Sequence, residues 1–106
     1  MSEKPKFGAG QLVHHKLYDY RGVVVSSDPR CEAEDEWYDF QTQGKPNPPT
    51  KDQPWYRVLV HGKAHTTYVA EQNLEPDASS DPIEHPMLRR VFSTFFGGRY
   101  YRETLN

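Results

Sequence analysis

Two short runs of aromatic and β-branched residues, separated by three residues, constrain the fold of this chain more than any other feature. Residues 55–61, Trp-Tyr-Arg-Val-Leu-Val-His, favour a strand, and residues 65–70, His-Thr-Thr-Tyr-Val-Ala, favour a second one. The intervening Gly62-Lys63-Ala64 is typical of a short connection between antiparallel strands. The spacing therefore predicts a β-hairpin, which needs further strands to become stable.

Further strands are predicted on both sides of this hairpin. Residues 22–26, Gly-Val-Val-Val-Ser, form a continuous run typical of a buried strand, and residues 12–15 indicate a short first strand. Residues 71–75 favour a turn or a final short strand. Four or five short strands predict a mainly β fold, a small SH3-like antiparallel β-barrel, with an OB-like barrel as the alternative.

Residues 28–54 interrupt this pattern as a long acidic and proline-rich loop. Five acidic and no basic side chains fall between Cys31 and Gln43, and three prolines lie at positions 46, 48 and 49. A connection of this length in a small domain is usually functional or mobile. Within it, one or two helical turns are predicted, with Asp28 as the cap and Ala33, Trp37 and Phe40 on one face.

Trp37, Tyr38 and Phe40 are surrounded by the acidic side chains of this loop and are candidates for binding a protein partner. Aromatic anchors carry binding energy, and acidic neighbours steer a basic surface toward them. The alternative is a solvated acidic face with one aromatic side chain anchoring the loop to the barrel. Trp55 and Tyr56 should point to opposite faces of their strand, one into the core and the other exposed beside Tyr68 or Tyr20.

A C-terminal helix is predicted over residues 86–96. Pro86 suits a first helical position, and Gly97-Gly98 suits a helix end. The apolar residues between them recur with helical spacing, at Leu88, Val91, Phe92, Phe95 and Phe96. With its polar residues 1–6 expected to be flexible, the chain of 106 residues is predicted to be one domain, 1–106.

The charge distribution bears on possible partners. The net charge is −2, and residues 31–86 carry four basic and eleven acidic side chains, whereas both ends are mildly basic. Nucleic-acid binders usually present a basic surface, so only the ends are candidates. Four basic residues from the ends are therefore selected as candidate DNA contacts: Lys16, Arg21, Arg89 and Arg90.

Several classes of protein are disfavoured by what the sequence lacks. No apolar run approaches the length of a membrane span, and the first residues have no apolar signal-peptide core, so a cytoplasmic location is expected. The single cysteine, Cys31, precludes an internal disulfide. No nucleophile elbow or phosphate-binding glycine loop is present. We therefore expect no enzyme activity, no cofactor, no metal site and no small-molecule substrate.

Several segments together carry a resemblance to a known family. The chain resembles the hemimethylated-DNA-binding, YccV-like family, which includes the bacterial heat-shock protein Q, over about residues 6–101. The matching segments are Lys6-Phe7-Gly8, Gly10-Gln11, His15, Tyr18-Asp19-Tyr20-Arg21-Gly22-Val23-Val24, Asp28-Pro29, Pro54-Trp55-Tyr56-Arg57-Val58-Leu59-Val60, Thr67-Tyr68-Val69-Ala70-Glu71-Gln72-Asn73-Leu74-Glu75, His85-Pro86, Phe92 and Gly98-Arg99-Tyr100-Tyr101. The block around Trp55 and the block from Tyr68 to Glu75 are distinctive in combination.

The resemblance implies an SH3-like barrel without catalytic activity. It implies two alternative functions, which are binding of hemimethylated DNA and modulation of ATP-dependent proteolysis as an adaptor in protein quality control. The expected partners are accordingly DNA, bound weakly, or an ATP-dependent protease or its substrates. The acidic excess of the chain disfavours the DNA alternative.

Overall fold

The computed structural model describes residues 4–102. Seven strands lie in this part of the chain: β1 (Leu12–His15), β2 (Arg21–Asp28), β3 (Trp55–Val60), β4 (Thr66–Ala70), β5 (Leu74–Pro76), β6 (Thr94–Phe96) and β7 (Arg99–Tyr101). It also contains the helices α1 (Asp35–Thr42) and α2 (Leu88–Val91), and a 3-10 turn at Glu71–Asn73. The mainly β prediction is confirmed.

Five strands form one antiparallel sheet in the order β4-β3-β2-β1-β5, and β6 and β7 form a separate hairpin. The predicted hairpin of β3 and β4 is confirmed, with Tyr56 opposite Val69 and Val58 opposite Thr67. The predicted strand at residues 22–26 is also confirmed and continues to Asp28, after a register shift between Val24 and Ser26.

The sheet is strongly curved but is not a closed barrel. Its edge strands β4 and β5 would lie about 19 Å apart in a flat sheet, yet only Glu71–Asn73 connects them. The four residue-to-residue steps of backbone from Ala70 to Leu74 span at most about 14 Å even when fully extended. The sheet must therefore curl to bring β4 and β5 closer together. Between residues 4 and 102, however, no hydrogen-bonded ladder joins β4 to β5. The connection forms a 3-10 turn and β5 ends after three residues, so the predicted closure is not observed.

Both faces of the sheet are buried, which explains the continuous apolar run of β2. An inner cluster contains Phe7, Val13, Val24, Tyr56, Val58, Val69 and Leu74. An outer cluster contains Leu12, Val23, Leu59, Ile83, Phe92 and Tyr100. Because neighbouring side chains of a strand point to opposite faces, Val23 and Val24 belong to different clusters.

The predicted C-terminal helix over residues 86–96 is wrong beyond Val91. The helix α2 covers only Leu88–Val91, Phe92 is extended, and β6 and β7 follow. Gly97 and Gly98 have φ angles of 62° and 79° and form the turn between these strands. A pair of glycines between aromatic segments is compatible with a helix end, as predicted, and with a two-residue hairpin turn. The structure has the hairpin turn. Phe92 is still buried in the outer cluster.

The loop over residues 28–54 contains the predicted helical segment, but its position and face differ from the prediction. The helix α1 begins after Glu34, whereas Asp28, the predicted cap, ends β2. Trp37 packs edge-on against Trp55, with the ring centres 6.2 Å apart, as expected for an anchor. Phe40 is instead 73% exposed, so it does not share the buried face.

The N-terminal segment is attached to the sheet. Residues 1–3 of the expected flexible segment 1–6 lie outside the described residues. The backbone N–H of Lys6 donates a 2.9 Å hydrogen bond to the buried carboxylate of Glu71, which also accepts one of 2.6 Å from the Tyr56 hydroxyl. Phe7 is part of the inner cluster.

Candidate functional site

A groove of about 690 Å³ lies along the free edge of β4. Its lining includes four consecutive residues of that strand, Thr66, Thr67, Tyr68 and Val69. Consecutive side chains of a strand point to opposite faces, so a groove that touches all four lies beside the strand rather than on one face. In the described part of the chain, β4 pairs with β3 alone, which leaves this edge without a neighbouring strand.

The opposite wall is formed by the end of α1 and the connection that follows it, here together called the arch and defined as residues 41–49. Three of its groove-lining residues are prolines, Pro46, Pro48 and Pro49. The side chain of Lys45 donates a 3.0 Å hydrogen bond to the hydroxyl of Tyr18. This contact joins the arch to the connection between β1 and β2, and both residues line the groove.

Aromatic side chains from four parts of the chain meet in this groove. Tyr18 and Tyr20 come from the β1–β2 connection, Trp37 from α1, Trp55 from β3 and Tyr68 from β4. The rings of Trp37 and Trp55 lie 5.8 and 5.3 Å from that of Tyr68. Such edge-on and tilted contacts stabilise an aromatic cluster beyond its burial alone.

A hydrogen-bond network fixes Tyr68 in the wall of the groove. Its hydroxyl donates a 2.6 Å hydrogen bond to Asp28 and accepts one of 3.0 Å from the backbone N–H of Glu32. The guanidinium of Arg57 lies 3.0 Å from Asp28 and 5.1 Å from the centre of the Tyr68 ring. Thus Arg57 is both neutralised by a carboxylate and stacked on the groove wall.

The ionisation of this network supports the same arrangement. Burial, and then the hydrogen bond to Asp28, raise the pKa of Tyr68 well above its ordinary value, so the phenol remains a donor. Burial alone would raise the pKa of Asp28, but the hydrogen bonds from Tyr68 and Arg57 outweigh it and lower that pKa. Asp28 is therefore a carboxylate at neutral pH.

His15 positions the connection that carries the exposed groove residues. Its Nδ1 accepts hydrogen bonds of 3.1 and 3.0 Å from the backbone N–H groups of Leu17 and Tyr18, and its ring stacks on Tyr18 at 4.6 Å. Burial lowers the pKa of His15, which favours the neutral ring that can accept these bonds. Leu17 is 69% exposed at the mouth of the groove.

His14, on the opposite side of β1, is held by two carboxylates. Its ring nitrogens lie 2.6 Å from Asp19 and 2.7 Å from Glu75. Hydrogen bonds to Asp19 and then Glu75 raise the pKa of His14, which favours the imidazolium that donates to both. Asp19 has a φ of 56°, so this clamp secures a turn in a left-handed conformation.

The three aromatic residues predicted to bind a protein partner have different surroundings. Trp37 lines the groove. The hydroxyl of Tyr38 donates a 2.6 Å hydrogen bond to the carbonyl of Pro49, which braces the arch. Phe40 is exposed and is not a lining residue. The expectation that Trp55 or Tyr56 is exposed is wrong, because both are buried on their respective faces.

The structure does not bring the four predicted DNA contacts into this groove. The guanidinium of Arg21 lies 2.7 Å from the buried carboxylate of Asp77 and forms an ion pair with it inside the fold. Lys16 is exposed just after β1. Arg89 and Arg90 are exposed on α2, whose Leu88 and Val91 pack on the outer cluster.

Two further searches of the described residues bear on ligands and membranes. Residues 4–102 contain no group of three or more His, Cys, Asp or Glu side chains arranged to hold a metal ion. No helix in the same part of the chain is long and apolar enough to cross a membrane.

Comparison with known proteins identifies the family. Residues 5–99 match the family described as "Hemimethylated DNA-binding protein YccV like". The chain belongs to the YccV-like family. The resemblance inferred from the sequence segments is thereby confirmed. Curated relatives of this YccV-like domain include F-box only protein 21 from Homo sapiens, Mus musculus and Pongo abelii, each 34% identical over 95 residues.

The matches cover most of this chain but only a small part of each relative. The aligned region covers 89% of this chain but only 15% of each F-box only protein 21. The YccV-like domain therefore corresponds to one part of those larger proteins.

Proposed function

We propose that this YccV-like domain is a non-catalytic module that binds a protein partner in the groove beside β4. The observation that carries the proposal is the groove itself, in which an edge of β4 that pairs with no other strand of residues 4–102, together with aromatic side chains, faces a proline-rich arch. Exposed aromatic and apolar side chains in a concave site are the usual anchors of protein–protein contacts.

The charge of the chain favours the same function. The net charge is −2, and Arg57, a basic groove residue, is paired with Asp28. A phosphate backbone needs several unneutralised cations on one surface. An uncharged or mixed polypeptide surface has no such requirement, because apolar burial provides most of the binding free energy.

The relatives are compatible with a module of this kind. In F-box only protein 21 the matching region is a minor part of a larger chain. An adaptor that brings an ATP-dependent protease and its substrates together would be one form of the proposed function. In that form, the groove would hold a segment of the protease or of the substrate.

A second candidate is binding of duplex DNA, which the family description favours by naming hemimethylated DNA. Of the four predicted DNA contacts, Lys16, Arg89 and Arg90 are exposed, whereas Arg21 is paired with Asp77. Such contacts would reach phosphates and would carry little information on sequence or methylation.

Site-specific photo-cross-linking separates the two candidates. A benzophenone side chain is placed at Leu17, at the mouth of the groove, and in a matched variant at Phe96, which is 76% exposed outside it. Each variant of the 106-residue chain is irradiated in an extract of its native cells, and the adducts are digested with protease or with nuclease. We expect a protease-sensitive adduct at Leu17 that is absent at Phe96.

The captured protein is then identified by mass spectrometry, purified and titrated against the chain. Binding is expected to weaken at least about tenfold in Tyr18→Ser and to stay within about twofold in Tyr101→Ser, because the loss of an aromatic anchor is costly, whereas Tyr101 lies outside the groove lining. Nuclease-sensitive adducts, or equal capture at both positions, would contradict the protein-binding proposal.

A further inference from the structure

We infer that the groove accepts its partner as an additional β-strand hydrogen-bonded to the free edge of β4, with an acidic side chain of the partner at Lys45. This inference rests on the proposed function and specifies how the partner is recognised. The occupant is an extended peptide segment, because a strand edge offers alternating N–H and C=O groups that only an extended backbone can match.

The register of the sheet shows which groups of β4 face the groove. The backbone N–H of Glu71 donates a 2.9 Å hydrogen bond to the carbonyl of Pro54, so Glu71 is bonded toward β3. Ala70, the preceding residue, lies opposite Trp55 in the same ladder. In an antiparallel ladder the residues of a strand alternate between bonding to the partner strand and pointing away. Residues 71, 69 and 67 therefore bond toward β3, and Thr66 and Tyr68 direct their backbone groups toward the groove.

The arch does not satisfy these groups itself. Pro46, Pro48 and Pro49 have no backbone N–H and cannot form the donor side of a ladder. The arch instead makes local bonds, such as the one from the N–H of Lys45 to the carbonyl of Thr42. An unpaired edge is normally a hazard that proteins cover. Here the arch faces the edge across the groove of about 690 Å³, and the inferred strand would occupy this groove.

Charge specifies the side chain that the peptide would present. The ammonium group of Lys45 is bonded to the hydroxyl of Tyr18, and within residues 4–102 it forms no ion pair. The other basic lining residue, Arg57, is already paired with Asp28. Glu32 also lines the groove, where its backbone N–H donates to the hydroxyl of Tyr68, and within residues 4–102 its carboxylate forms no ion pair with Lys45. A carboxylate of the peptide would thus complement Lys45.

Peptide selection followed by an N-methylation scan tests this inference. Random peptides of about twelve residues are selected on the intact chain, and the enriched peptides are measured by fluorescence anisotropy. Each backbone nitrogen of a binder is then methylated in turn. Because alternate N–H groups of a strand face its partner, affinity should fall at least about tenfold at every second position and change less than about twofold between them.

Two matched charge reversals test the role of Lys45. Lys45→Glu should weaken the selected acidic peptides at least about tenfold, while Arg89→Glu, on the exposed side of α2, should leave the affinity within about twofold. Thermal unfolding of both variants verifies that they remain folded. A Lys45→Met variant should show an intermediate loss, since it removes the attraction without adding repulsion.

The possible outcomes are distinct from those of the cross-linking experiment. No enriched peptide, a methylation profile without period two, or enriched peptides without acidic residues would overturn the strand-addition inference. If cross-linking at Leu17 nevertheless captures a protein, the proposed function stands and binding occurs through side chains alone. Loss of affinity on methylation at every second position, together with the expected weakening in Lys45→Glu, supports the inference.

Discussion

The hydroxyl of Tyr68 donates a 2.6 Å hydrogen bond to the carboxylate of Asp28, and this contact joins β4 to the end of β2 across the intervening β3. The same hydroxyl accepts the backbone N–H of Glu32. One side chain thus fixes the edge strand, the end of the central strand and the beginning of the long connection. These hydrogen bonds hold together two residues that line the groove, Tyr68 and Glu32.

Tyr68→Phe should therefore lower the free energy of unfolding by about 1–2 kcal/mol, because a partly buried carboxylate and a backbone N–H both lose a partner. Urea unfolding measures the change, with Tyr101→Phe on the exposed side of β7 as the control. Equal midpoints for wild type and Tyr68→Phe would show that the network adds nothing to stability.

Phe92→Ala should lower the free energy of unfolding by about 3–5 kcal/mol, the usual cost of truncating a buried phenylalanine. Phe92 is buried in the outer cluster, with its ring 5.5 Å from that of Tyr100. Phe96→Ala, at an exposed position of the same apolar sequence pattern, should change it by less than about 0.5 kcal/mol. Similar effects of the two substitutions would contradict the division of this segment into a short helix and a hairpin.

The sequence was most informative where structure depends on neighbouring residues. The hairpin of β3 and β4 and the central strand β2 follow from local aromatic and β-branched content, and both were predicted correctly. The C-terminal segment was ambiguous, because its phenylalanines match helical spacing while Gly97-Gly98 suits either a helix end or a hairpin turn. Packing of Phe95 on Tyr100, with ring centres 4.5 Å apart, accompanies the hairpin.

The groove was beyond the reach of sequence patterns for a different reason. Its key contact joins Lys45 to Tyr18, which are 27 positions apart, and its edge exists because β4 lies at one side of the sheet. Such relations depend on topology rather than on local periodicity. Trp37 could be predicted as a binding residue because it is an aromatic residue in an acidic segment of the sequence. The sequence around Lys45 contains no comparable pattern.

Stability should depend on pH through His14. Hydrogen bonds to Asp19 and Glu75 raise the pKa of His14 above its ordinary value of 6.5, so the protonated ring stabilises the folded state. This contribution is complete below about pH 6.5 and is lost as the pH rises through the folded-state pKa.

Urea unfolding of wild type and His14→Gln measures this linkage. The difference between their stabilities should be larger at about pH 5.5 than at about pH 9. Both chains retain His15, whose pKa is lowered mainly by burial, so most of its opposite effect on stability cancels in the difference. A difference independent of pH, or one that grows at high pH, would show that His14 is not charged in the fold.

Binding to DNA should be weak and insensitive to methylation. Of the predicted DNA contacts, only Lys16, Arg89 and Arg90 are exposed, and they provide few phosphate contacts, so we expect dissociation constants of about 10⁻⁴–10⁻⁶ M at physiological salt, typical of non-specific binding. Fluorescence anisotropy with hemimethylated, fully methylated and unmethylated duplexes measures this, with the double variant Arg89→Glu/Arg90→Glu as the control. Nanomolar affinity with at least about a tenfold preference for the hemimethylated duplex would place the DNA function first.

The central claim, that the groove beside β4 is the protein-binding surface, is tested most directly by mapping backbone amide chemical shifts of the isotope-labelled chain during titration with a selected peptide. We predict that the largest changes occur at Thr66–Ala70, in the arch and at Tyr18, with little change on α2. Changes concentrated at Lys16, Arg89 and Arg90, with β4 unaffected, would contradict it.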